Sequence, residues 1–145
     1  MTDEPAYFCI SPEQPLPDIS GYRPFKAVLI LERETPADWR SNVAAWLVAA
    51  GCRYAMTWGI DNEAWHDEID DAVHVKFDWE EVPDDHFIMT TWHENLDETF
   101  WFAQFCAYFS YDDVELTNTL LVHVADAPSA ETIVARFRAA PDWEE

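Results

Sequence analysis

The chain of 145 residues has 29 acidic and 8 basic residues, a formal net charge of −21, with 49% hydrophobic and 15% aromatic residues. This hydrophobic content excludes a wholly disordered chain, and the length suffices for one domain whose core needs neither disulfides nor a structural metal. The charge disfavours nucleic acid and anionic membranes as partners, because both attract basic surfaces, and it favours cations or a basic protein.

Prolines crowd residues 1–24, so we predict a Pro-rich N-terminal arm without regular structure there. Four apolar stretches follow, and each is followed by a pattern with helical spacing. We predict a single α/β domain over residues 25–140 and an acidic tail over residues 141–145. The predicted strands cover residues 25–31, 53–58, 87–92 and 119–124. The predicted helices begin after the caps Thr35, Asp61 or Asn62, Asn95, and Pro128 or Ser129.

Details of three helices follow from local patterns. Thr35 is expected as the N-cap of the first helix, with Pro36 at its first position. Val73, Val75 and Phe77 alternate with polar residues, which favours an extended chain at the end of the second helix. The third helix is predicted to run from Leu96 to about Phe109.

The alternation of strands and helices predicts the fold class. Strands joined through helices are parallel, and right-handed crossovers place helices on both faces of the sheet. We therefore predict a three-layer domain with a mostly parallel four-stranded sheet, either Rossmann-like or flavodoxin-like. The strand order stays open.

Candidate chemistry lies where the strands end, because ligands of open parallel sheets bind at the carboxyl edge. His93, after the third strand, is a candidate general base or metal ligand, with Asp61 or Glu94 in support. The alternative is that His93 and Glu94 are loop residues that favour the dipole of the following helix. Other residues at this edge are Glu32, Arg33, Glu34, Trp58, Gly59, Trp92, Asp126 and Ser129.

Several motifs are missing. The three glycines, Gly21, Gly51 and Gly59, lie too far apart for a dinucleotide-binding or P-loop motif, and no EF-hand loop occurs, so we expect no cofactor and no bound metal. The three cysteines lack C-x-x-C spacing, and the N-terminus lacks the basic region of a signal peptide. Both features predict a cytoplasmic protein. Cys52 and Cys106 are interpreted as inert thiols of the core.

Acidic residues are concentrated in residues 61–98, which contain fourteen acids and one base, Lys76. A solvated helix face would explain a short run of this kind, but this bias is long. We expect the acidic segment to contact a basic protein. The predicted contact residues are Asp67, Glu68, Asp70, Asp71, Trp79, Glu80 and Glu81.

Two motifs carry a resemblance to a known family. Trp58-Gly59-x-Asp61 is followed by Thr90-Thr91-Trp92-His93-Glu94, ahead of an aromatic helix. This arrangement resembles a family of small uncharacterised bacterial acidic α/β proteins over roughly residues 25–125. The resemblance implies a bacterial, cytoplasmic, single-domain protein and transfers no catalytic residue. In size and acidity the chain is also similar to bacterial immunity proteins and nuclease inhibitors, which neutralise basic toxins.

Two functions follow as hypotheses. The first is a non-enzymatic acidic protein that docks a basic protein partner, as an immunity protein, an inhibitor or a defence-associated accessory protein does. The alternative is a small hydrolase-type or metal-dependent enzyme with His93, Asp61 and Glu94 at its site. A homodimer that uses surface aromatics such as Trp79 and Trp143 is compatible with either.

Overall fold

The computed structural model describes residues 4–82, 87–107 and 116–142, and in these ranges it contains one sheet of five strands and four α-helices. Short 3₁₀ helices lie at Ser20–Tyr22 and Ala140–Asp142. The strands are β1 (Ala6–Ile10), β2 (Phe25–Leu31), β3 (Cys52–Gly59), β4 (Met89–His93) and β5 (Asn118–Val124). The helices are α1 (Ala37–Ala50), α2 (Asn62–Lys76), α3 (Leu96–Phe105) and α4 (Ala130–Ala139).

The strand order is β1-β5-β2-β3-β4, and all four pairings are parallel. The chain moves outward from β2 through β3 to β4 and then returns to the other side of β2 as β5. The order β4-β3-β2-β5 corresponds to strands 3-2-1-4 of the Rossmann fold, with β1 added beyond β5, which decides between the two predicted architectures. It also places a topological switch point between β2 and β5.

The N-terminal arm differs from the prediction. Residues 6–10 form a fifth strand, β1, which pairs with β5 from Ala6↔Leu120 to Ile10↔Val124. The expectation that the arm lacks regular structure is therefore wrong for these residues. The physical reason is that Pro5 and Pro12 lie outside the strand rather than in it, so they remove no hydrogen bond from the ladder.

Local signals at the helix ends were partly right. Asn95 caps α3, and its Oδ1 accepts a hydrogen bond from the backbone N–H of Glu98 at 3.0 Å. The N-cap of α1 is Pro36, one residue after the predicted Thr35. The extended chain predicted around Val75 is wrong, because α2 continues to Lys76.

A buried stripe explains the length of α2. Trp65, Ile69 and Val73 recur every four residues and are buried, so helical spacing outweighs the local alternation around Val75. In contrast, β4 begins at Met89, two residues later than predicted. α3 ends at Phe105, earlier than the predicted end near Phe109, and residues 108–109 lie outside the described residues.

The core has two layers, one on each face of the sheet. Helices α1 and α2 cover one face with Val43, Leu47, Trp65 and Ile69 over alternate strand residues such as Leu29. The opposite layer contains Phe100 of α3 and Phe137 of α4 over Val28 and Ile30. The prediction of helices on both faces is confirmed.

Candidate functional site

The switch point lies at the carboxyl ends of β2 and β5, whose last residues, Leu31 and Val124, are paired. The backbone N–H of Glu32 extends this pairing by donating to the carbonyl of Val124 at 3.0 Å. The helix after β2 and the helix after β5 cover opposite faces, so the chain diverges here. In open α/β sheets such a crevice is the usual place for a ligand.

A chain of hydrogen bonds crosses this edge of the sheet. The backbone N–H of Ser129, the N-cap of α4, donates to the hydroxyl of Tyr7 at 2.9 Å. The Tyr7 hydroxyl lies 2.5 Å from Nδ1 of His123, and Nε2 of His123 contacts the carboxylate of Glu32. An ionised carboxylate can only accept, so Nε2 carries the proton and Nδ1 accepts from Tyr7. The chain joins β1, β5, β2 and α4.

The environment of these groups differs along the chain. His123 is 1% exposed, whereas the Glu32 side chain faces solvent. Burial raises the pKa of the Tyr7 hydroxyl above its ordinary value, partly offset by the hydrogen bond from Ser129. Burial likewise raises the pKa of the neighbouring Cys9 thiol. At neutral pH both groups therefore keep their protons.

Arg33 borders the same edge. Its Nη1 lies 2.8 Å from Glu13 and 2.9 Å from Asp126. The hydrogen bond to Glu13 raises the pKa of the guanidinium. Arg33 therefore ties the N-terminal segment to the loop after β5.

His93 contacts a carboxylate other than the two that were predicted. Nδ1 of His93 lies 2.8 Å from the carboxylate of Glu98, and Nε2 lies 2.8 Å from the hydroxyl of Thr91. The ring packs 4.9 Å from Phe102, and the side chain is 8% exposed. His93 is thus held against α3, with both ring nitrogens engaged.

Asp61 and Glu94 lie elsewhere. Asp61 is 3.9 Å from Arg40 of α1, on the face of the sheet opposite to α3. Glu94 is exposed, and its backbone carbonyl accepts from Nε1 of Trp58 at 3.3 Å. The described contacts do not bring the three predicted side chains together. In the described ranges, no three or more His, Cys, Asp or Glu residues form a group that could hold a metal ion.

The predicted contact residues for a partner lie mostly on α2 and just after it. Asp67 lies 3.1 Å from Nδ1 of His66, and Asp70 accepts a hydrogen bond from Thr90 of β4 at 2.7 Å. Glu68 contacts Ser41 and so belongs to the α1 side. Asp71 is exposed. Glu80 and Glu81 are exposed as well.

Two exposed tryptophans border this helix. Trp79 is 66% exposed and stacks on His74 of α2 with the ring centres 5.6 Å apart. Trp92 of β4 is 49% exposed, and its ring meets His66 edge-on at 4.8 Å. We call Asp67, Asp70, Asp71, Trp79 and Trp92 the acidic–aromatic surface. Trp143 lies outside the described residues.

Sequence reasoning missed His123 and Tyr7 as site residues. The available signal was a single ionisable residue, His123, within the apolar strand β5. Its partner Tyr7 is 116 positions away in an arm that was expected to be irregular. Trp92 was predicted to lie at the carboxyl edge of the sheet. Its position on an outermost strand was missed, because the sequence of β4 does not reveal that this strand is the last in the sheet.

Comparison with known proteins gives one match. The family model described as a domain of unknown function, DUF7684, matches residues 5–140. Searches among curated proteins and among solved structures gave no significant match. None of the helices in the described part of the chain is long and apolar enough to cross a bilayer. Because the match spans most of the 145 residues, the chain belongs to the uncharacterised DUF7684 family.

Proposed function

We propose that the protein is a non-enzymatic, cytoplasmic binding protein whose acidic–aromatic surface docks a basic protein partner, as bacterial immunity proteins and inhibitors do. The observation that carries this proposal is the combination of carboxylates with two exposed tryptophans on one side of the molecule. Carboxylates steer a basic partner into contact, and desolvated tryptophans are the residues that most often dominate interface affinity.

The charges of α2 support this assignment. Along its 15 residues, about 22 Å, the helix has five acids and a single lysine near its end. Among the described residues, Asp67 and Asp70 form ion pairs with one histidine, His66 of the same helix, and with no arginine or lysine. A basic surface would supply the missing cations.

The shape of the surface also fits a protein rather than a small ligand. Trp79 and Trp92 are both largely exposed beside the helix, and each contacts a histidine ring of α2. Such preorganised aromatic side chains lose little conformational freedom on binding. A stable interface covers about 800 Å² on each partner, which a helix with its flanking strand can provide.

A binding experiment with paired variants tests the proposal. The immobilised chain is exposed to lysate at about 50 mM salt, and a retained basic protein is identified, purified and titrated. We expect its affinity to fall with salt and to fall at least about tenfold more in a D67K/D71K variant. The control variant, E34K/E131K, has the same charge change at exposed positions away from α2. Equal losses in the two variants, or no retained basic protein, would contradict the proposal.

The hydrogen-bonded order of Tyr7, His123 and Glu32 favours a second candidate function, catalysis at the switch point. A hydroxyl, a histidine and a carboxylate in this order form a nucleophile, a base and a group that orients the base. Because Tyr7 keeps its proton at neutral pH, His123 would have to accept it.

The test is hydrolysis of a panel of aryl esters by the purified chain. If the site is catalytic, Y7F and H123N each lower the rate at least about 100-fold, while T91V, which removes a hydrogen bond at His93, does not. Rates equal to those of wild type in Y7F would exclude this candidate.

A further inference from the structure

The outer edge of β4 is open in the described part of the chain. β4 is the last strand in the sheet order and pairs only with β3, from Tyr54↔Met89 to Trp58↔His93. Its sequence, Met-Thr-Thr-Trp-His, has no charged residue other than a histidine and no proline. Exposed edges in proteins are usually protected by lysines, prolines or bulges, because unpaired backbone groups invite another strand.

The opposite edge of the sheet is protected in a way that β4 is not. β1 is flanked by Pro5 on one side and by Pro12 two residues after its end, which limits how far another strand can pair with it. In addition, α4 packs against β1 and Tyr7 is tied to Ser129. Of the two edges, β4 is the one suited to accept a strand.

The side chains around β4 indicate which residues an added strand would need. Trp92 is the fourth of the five residues of β4, and its ring packs against His66 of α2. His66 also lies within 3.1 Å of Asp67 and 3.9 Å of Asp70, so both carboxylates are close to Trp92. A lysine or arginine beside Trp92 would gain a cation–π contact and a nearby carboxylate.

The same charges disfavour a second copy of the chain as the occupant. Pairing two β4 edges would bring together two acidic helices of molecules that each have a net charge of −21. Like charges in close apposition oppose association, whereas opposite charges promote it. Charge complementarity therefore selects a basic strand.

We propose that the partner docks by adding an extended, basic segment as a sixth strand along the outer edge of β4, with its cationic side chains over Trp92, Asp67 and Asp70. Backbone hydrogen bonds would supply affinity and alternate side chains specificity, as in other strand additions. This inference rests on the proposed function and names how the partner is recognised.

The probe is a short peptide of alternating lysine and valine, about nine residues long. Its control is the same peptide with N-methylated central residues, which keeps the charge and removes backbone donors. We expect salt-sensitive binding of the first peptide, at least about tenfold weaker binding of the second, and slower amide exchange at residues 89–93 on binding.

Variants locate the contact. W92A should weaken peptide binding at least about tenfold, whereas F105A should not, because Phe105 is also exposed (54%) but lies on α3. Equal binding of both peptides would overturn strand addition and leave electrostatic docking intact. Failure of both peptides to bind would overturn the docking of a basic partner as well. If the chain alone forms a dimer and W92A dissociates it, the occupant of the β4 edge is a second copy of the chain, and the proposal of a basic strand is overturned.

Discussion

Replacing Gly59 with alanine should destabilise the fold severely, because two independent costs meet at this residue. Gly59 ends β3 with φ of 112°, where a residue with a Cβ is strained by about 1–2 kcal/mol. An added Cβ would also lie 2.2 Å from the carbonyl oxygen of Leu31, a backbone atom. That carbonyl accepts a hydrogen bond from the backbone N–H of Ile60 at 2.9 Å, so relieving the clash leaves the carbonyl of the buried Leu31 without its donor, at a cost of about 1–3 kcal/mol.

The expected loss in the free energy of unfolding is therefore about 2–5 kcal/mol, a large part of the stability of a typical domain. Urea unfolding followed by circular dichroism measures it. The other glycines provide a comparison. G51A should also be destabilising, because φ is 101° and the added Cβ would lie 2.5 Å from the Cβ of Arg23, an atom fixed to the backbone. G21A meets nothing within 4 Å and should be neutral or slightly stabilising. A G59A variant within about 1 kcal/mol of wild type would refute this account of the β2–β3 edge.

Three further outcomes test other contacts. Burial raises the pKa of Cys52 from 9.0 to about 12, so between these pH values only the unfolded chain loses this proton. The free energy of unfolding should therefore fall by about 1.4 kcal/mol per pH unit more in wild type than in C52A. Urea titrations at several alkaline pH values measure the two slopes, and equal slopes would contradict the burial of this thiol. N95A should lower the free energy of unfolding by about 1 kcal/mol, because it removes the side-chain hydrogen bond that caps α3, whereas S129A should lower it very little, because the Ser129 side chain makes no capping hydrogen bond. Thermal unfolding compares the two variants, and similar losses would argue against the Asn95 cap. Y7F should lower the free energy of unfolding in urea by about 1–3 kcal/mol, because the N–H of Ser129 and Nδ1 of His123 both lose the Tyr7 hydroxyl. An unchanged urea midpoint would show that these hydrogen bonds do not stabilise β1.

Much of the fold was predictable because its strongest signals are local. The central strand β2 is a nearly continuous apolar run, as expected for a strand buried on both faces. Asn95 begins α3 as its side chain indicates. β1 was missed because prolines dominate the composition of the arm, although Tyr7, Phe8 and Ile10 provide the faces of a short strand. Pairing with β5 outweighs that composition.

The site was less predictable because it depends on strand order. Local sequence suggests which residues follow each strand, but not that β5 lies between β1 and β2. His123 meets Tyr7 and Glu32 only through that order. At His93 the sequence indicated a carboxylate partner but pointed to Asp61 or Glu94. The carboxylate that contacts His93 is that of Glu98, in the first turn of α3.

The pairing of β1 with β5 has a consequence for how the chain is made. Tyr7 and His123 are separated by 116 positions, and β1 has β5 as its one neighbour in the sheet. At about 5–20 residues per second, a ribosome needs on the order of ten seconds to produce β5 after β1. During that interval β2 and β3 can already pair, whereas β1 cannot yet pair with β5. The hydrogen bonds that link Ser129, Tyr7, His123 and Glu32 therefore cannot all form before synthesis has passed the fifth strand.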